Sequence, residues 1–97
     1  MINHRTQKVE ENLKRLAADF LRRESGLQSL ITVVDVNFDS DKKRASIIIS
    51  VLPQEKTATA FRFVNRQKIH FVKFLKKTAR MKTIPTISFA LETPQID

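Results

Sequence analysis

Between Arg5 and Glu24, apolar residues fall at Val9, Leu13, Leu16, Ala17, Phe20 and Leu21, the alternating three- and four-residue spacing that lines one face of an α-helix. The pattern predicts an amphipathic first helix. Ser25-Gly26 follows, and Gly26 is the one glycine of the chain, placed where a left-handed residue closes a helix. The period then falls to two. Leu30-Ile31-Thr32-Val33-Val34-Asp35-Val36-Asn37-Phe38 and Ala45-Ser46-Ile47-Ile48-Ile49-Ser50-Val51-Leu52 are β-branched runs parted by the polar Asp39-Ser40-Asp41-Lys42-Lys43-Arg44, the pattern of a β-hairpin. The first run alternates more visibly. The second is apolar on nearly both faces around Ile47, Ile48 and Ile49, as in a strand with neighbours on both sides, and is placed centrally.

Pro53 ends the second strand, and a helical pattern returns from about Thr57 to Met81, with Phe61, Val64, Val72, Leu75 and Ala79 available for a core face. The stripe drifts across Asn65-Arg66-Gln67-Lys68-Ile69-His70, which predicts a kink and two helical pieces. After Pro85, Ile87, Phe89 and Leu91 alternate with Thr86, Ser88, Ala90 and Glu92, a third strand, and residues 93–97 form a short tail. A strand-helix-strand crossover makes the third strand parallel to the second if the two are neighbours. The expected fold is α+β, in the order α-β-β-α-(kink)-α-β, with a three-stranded mixed sheet covered by helices on one face. At 97 residues one domain with one core is expected.

Charge changes the picture most. The net charge is +8, yet the nine Lys/Arg between Lys56 and Leu91 meet no Asp or Glu, whereas elsewhere nine Lys/Arg face ten acids. The whole excess lies in one segment. A solvated helix surface ordinarily mixes signs to gain i,i+4 pairs, so one-signed charge points to an anionic partner, with simple solubility as the plainer explanation. The candidate phosphate-binding residues are Arg62, Arg66, Lys68, Lys73, Lys76, Lys77, Arg80 and Lys82. Lys73, Lys76, Lys77 and Arg80 share a helix face and can meet successive phosphates. Such contacts fix position without reading bases, so a folded RNA's shape is the expected target. Lys42, Lys43 and Arg44 could extend the surface, although a charged turn is usually just solvated.

Phe61, Phe63, Phe71 and Phe74 interleave with these cations and invite a base-stacking reading. Core packing is the better expectation, because a chain this small needs its aromatics inside; Phe63 and Phe74 are the better stacking candidates. The same segment could be read as a basic amphipathic helix for a membrane or a partner's groove, but the sheet requires its apolar face. For catalysis, His4 and His70 are the only histidines, and neither has a nucleophile or carboxylate nearby in sequence. Asp39 and Asp41 fall short of a calcium loop and read as a turn. One glycine excludes a Gly-rich phosphate loop. No enzyme activity, metal, cofactor or small-molecule substrate is expected. The chain has no cysteine, which fits a reducing cytosol, and no apolar run long enough for a signal peptide or membrane span. A soluble, cytoplasmic protein is expected.

Four stretches carry a resemblance to a known family: the first helix with Arg5 and Val9, Ile31-Thr32-Val33-Val34-Asp35-Val36, Ala45-Ser46-Ile47-Ile48-Ile49-Ser50, and Arg80-Met81-Lys82-Thr83-Ile84-Pro85-Thr86-Ile87-Ser88-Phe89. Together they span nearly the whole chain, and the order and pattern resemble ribosome-binding factor A, whose fold is a type II KH domain. The resemblance implies binding to the immature small (30S) ribosomal subunit, near its 16S rRNA, and help with maturation and processing of that RNA without cutting it. A monomer is expected. KH domains ordinarily carry a Gly-x-x-Gly loop between the two helices, and the resembled family an Ala-x-Gly kink. Here the aligned positions read Gln67-Lys68-Ile69, which leaves the sharpness of the kink, and any close backbone approach to RNA there, for the structure to decide. A generic KH-like RNA- or DNA-binding module and a protein-interaction domain for an acidic partner remain as alternatives.

Overall fold

The computed structural model describes residues 4–24, 30–79, 81 and 83–92. Its elements are α1 (His4–Glu24), β1 (Leu30–Asp39), β2 (Arg44–Leu52), α2 (Thr57–Arg66), α3 (Lys68–Thr78) and β3 (Thr86–Leu91), with a 3-10 turn at Gln54–Lys56. The expected helix stop at Ser25-Gly26 and the tail at 93–97 lie outside the described residues. The strand order is β1-β2-β3, with β2 antiparallel to β1 and parallel to β3. This is the type II KH-like arrangement, with the second strand central as its pattern predicts.

Alternation along the strands sorts the two faces of the sheet. Ala45, Ile47, Ile49 and Val51 of β2 and Ile87 and Phe89 of β3 are buried in the core with α1, α2 and α3. Ser46, Ile48 and Ser50 on the opposite face are half-buried, and Thr86 and Ser88 are exposed. Strand β1 departs from simple alternation. Its register with β2 shifts between Val33 and Asp35, so that Val33 and Val36, three residues apart, are both buried while Asp35 is exposed. An extra residue in one strand does this, and the Asp35 carboxylate accepts the amide of Val36 at 2.9 Å. Strict period two would have turned Asp35 into the core.

The core contains no buried polar or charged residue among those described. Phe71 of α3 is its hinge: wholly buried, it meets Phe20 of α1 at 5.3 Å and Phe89 of β3 at 6.1 Å between ring centroids. Three elements are thereby held by one aromatic cluster. Glu10 adds a polar latch, accepting the amide of Phe38 on its Oε2 at 2.8 Å and so tying α1 to β1. Helices α2 and α3 pack the remainder through Ala60, Val64 and Leu75, all buried. Phe71→Ala is expected to cost about 3–5 kcal/mol, a large part of the roughly 5–15 kcal/mol that holds a small domain. Urea denaturation should show the midpoint falling accordingly; a loss under about 1 kcal/mol would remove Phe71 from the centre of the fold.

Candidate nucleic-acid interface

Helix α3 presents Phe71 and Leu75 to the core and leaves Ile69, Lys73, Lys76 and Lys77 exposed. These positions follow from about 100° of rotation per residue, which sets 69, 73, 76 and 77 opposite 71 and 75. The same geometry on α2 buries Ala60 and Val64 and exposes Arg62 and Arg66, one turn apart. Lys68, in the first turn of α3, is half-buried. Six of the eight sequence-predicted cations are therefore placed. Arg80 and Lys82 lie outside the described residues.

The structure divides these six. Lys68 and Lys76 come together with Ile69 and Val72 on one wall of an open groove of about 480 Å³, whose other wall is Ile84, Pro85, Thr86 and Ile87. Lys73 and Lys77 stand on the outer surface of α3 beside it, and Arg62 and Arg66 on α2. The groove floor is apolar and its α3 rim cationic. That combination suits a ligand with a phosphate edge and an apolar body.

Among the described residues the one ion pair joins Arg22 to Asp19 on α1, at 3.2 Å, so no described acid neutralises an α2 or α3 cation. Lys76 and Lys77 have a local reason to be where they are, since cations in a last helical turn gain about 0.3–1 kcal/mol from the helix dipole. Lys68 has the opposite relation. It occupies the first turn of α3, where the dipole disfavours a cation, and neither α2 nor α3 has an acid in its first turn. No acid in the first turn of α3 offsets that charge.

The aromatics pack inward. Phe71 is buried, while Phe61, Phe63 and Phe74 are half-buried against the core. Phe74 lies 5.6 Å from the Phe20 ring and carries the Arg23 guanidinium 5.9 Å above its own. This favours core packing over base stacking. Periodicity did not single out Ile69, which is 62% exposed in the middle of the cation face. The signal was present: Ile69 precedes Lys73 by four residues, so it belongs to the lysine face and not to the apolar stripe. The groove wall from Ile84 to Ile87 was legible as a strand entry but not as part of a site.

Comparison with known proteins bears on what this surface meets. The sequence model of the family described as "Ribosome-binding factor A" matches residues 5–95, nearly the entire chain. The chain belongs to the ribosome-binding factor A family. A ribosome-binding factor A from Natranaerobius thermophilus is 27% identical over 95 residues, covering 95% of this chain and 72% of that one. The crystal structure of ribosome-binding factor A from Thermus thermophilus superposes with a TM-score of 0.76 at 24% identity, over 89% of this chain and 93% of that chain, and confirms the fold. A Thermus thermophilus ribosome-binding factor A fitted into a cryo-electron microscopy map of a 30S complex gives a TM-score of 0.72 at 25% identity, over 86% and 90% of the two chains.

Within this family the helix break is the point of departure, and the structure shows how it forms without glycine. Helix α2 ends at Arg66 and is capped by Gln67, whose amide donates to the carbonyls of Phe63 at 3.0 Å and Val64 at 3.1 Å, while its carbonyl accepts the amide of Phe71 at 2.9 Å. Its φ of −81° and ψ of −5° lie in the right-handed region, open to any L-residue. Restoring the resembled glycine by Ile69→Gly should therefore lower stability by about 0.5–1 kcal/mol, the cost of glycine inside a helix. A higher Tm in calorimetry would show instead that the break strains position 69.

Proposed function

We propose that this chain binds the immature small ribosomal subunit through the outer surface of α2 and α3, holding a conformation of 16S rRNA and assisting its maturation without cutting it. The observation that carries the reading is the one-signed surface: five exposed cations and the half-buried Lys68, none in an ion pair among the described residues, with Lys68 and Lys76 lining an open groove. Family membership and the fitting of a relative into a 30S complex map support the partner. Such cations supply affinity through released counterions and fix register on a folded RNA, with little base readout.

The mode of action is stoichiometric. A protein that binds one rRNA conformation better than another shifts the population toward it by that difference in affinity, and dissociates when maturation removes the preferred form. The role proposed for the cation surface is positioning and charge, and RNA cleavage is assigned to other factors. One monomer per subunit, in the cytoplasm, is the form proposed. No helix among the described residues is long and apolar enough to cross a membrane.

Co-sedimentation with mature and immature small subunits across a salt series tests this. One-to-one saturable binding is expected, tighter to the immature particle. In Lys73→Ala/Lys76→Ala/Lys77→Ala, the slope of log affinity against log salt should be shallower by roughly 2, at about 0.7–0.9 per lost contact. Binding indifferent to the three lysines would reject this surface. Weak binding to every RNA but strong binding to an acidic protein would move the function to protein recognition.

A further inference from the structure

The β1–β2 turn is built around an unusual backbone position. Lys43 has a φ of 53°, the one left-handed non-glycine among the described residues, and a lysine there carries a steric penalty that glycine or asparagine would largely avoid. Asp39 orders the turn, its Oδ1 accepting the amides of Asp41 at 3.0 Å and Lys42 at 3.2 Å. One of the two local acids is thus engaged with backbone. Lys42, Lys43 and Arg44 are all exposed, as is Asp41, and no ion pair forms in the turn among the described residues.

The parallel crossover brings this turn to the groove. Thr86, a groove-lining residue, donates its amide to the Lys43 carbonyl at 2.8 Å and is the register partner of Arg44. The wall facing Lys68 and Lys76 is therefore hydrogen-bonded to a second run of cations, from a region far away in sequence. The cationic turn thus adjoins one wall of the groove, and Lys68 and Lys76 line the other. The bonds to Asp39 and Thr86 hold the backbone whatever the side chain, so neither the disfavoured φ nor an ion pair among the described residues accounts for a lysine at position 43, beside Lys42 and Arg44.

We infer that the β1–β2 turn is a second arm of the RNA-binding surface, in which Lys43, flanked by Lys42 and Arg44, contacts phosphates of the RNA held by the α3 lysines. The inference rests on the RNA reading of the α3 surface, and it makes that surface two-sided. A two-sided clamp selects a folded backbone of the right width, where a single lysine row would accept any polyanion.

Lys43→Gly and Lys43→Asn separate this role from that of a merely solvated turn, because both tolerate a left-handed backbone while removing the charge. Each is expected to melt no lower than the parent protein. Each should also bind purified small subunits about sixfold more weakly near 0.1 M salt, with a salt slope shallower by about 0.7–0.9, the counterion term of one phosphate contact. Lys14→Ala, an exposed lysine on α1, should leave the slope unchanged. Unaltered affinity and slope in both Lys43 variants would overturn the inference, as would an equal loss in Lys14→Ala, which would mean diffuse charge only. Indifference of binding to the α3 triple variant would instead bring down the underlying reading of α3, a separate result.

Discussion

The placement of the α2 and α3 cations depends on the burial of β2 between two strands of opposite relation to it. Ile47 and Ile49 are wholly buried, and β2 is hydrogen-bonded to β1 on one side and β3 on the other. Because β3 runs parallel to β2, the chain must cross from one end of the sheet to the other between them, and a crossover over a sheet face needs helical cover. Helices α2 and α3 are that cover. Their inner surfaces are committed to the core through Ala60, Val64, Phe71 and Leu75, which leaves their outer surfaces as the region where one-signed charge can gather without disturbing the fold.

That division of labour explains how a basic protein keeps an apolar interior. The first helix and the hairpin mix acids and bases, and three of these acids, Glu10, Asp35 and Asp39, also accept backbone amides. From Thr57 to Leu91 there is no acid. Self-repulsion among exposed cations is modest in water and screened within about 10 Å at 0.1 M salt, a small cost beside the core's contribution. In the proposed function, the phosphates of an RNA laid on this surface offset that repulsion. The apolar interior that stabilises the domain and the charged outer surface of α2 and α3 are physically separate.

Much of the fold was legible because its signals are periodic. The α1 stripe, the hairpin, the central second strand and the break near Gln67 all follow from spacing and turn chemistry, and the observed elements begin and end within a few residues of those positions. The bulge at Val33-Val34-Asp35 was not legible, since a single extra residue leaves no period to detect; its trace is the apolar doublet followed by an acid. The geometry of the break could not be read either, because the sequence pattern does not reveal that Gln67 turns the chain in an ordinary right-handed conformation without glycine. The candidate site was half legible. Charge pattern placed the lysines on α3, but the groove and its link from Thr86 to Lys43 arise from a parallel pairing between residues some forty positions apart, which no local window contains.

The absence of cysteine allows the orientation on the ribosome to be measured directly. A single cysteine carrying a tethered iron chelate, introduced as Ile69→Cys at the groove or as Ser88→Cys on the helix-free face of the sheet, generates hydroxyl radicals that cut nearby RNA in a reconstituted small-subunit complex. The account predicts strong, localised 16S rRNA cleavage from position 69 and little from position 88. Cleavage from position 88 with none from position 69 would contradict it, placing the RNA against the open sheet and leaving the α3 lysines in solvent.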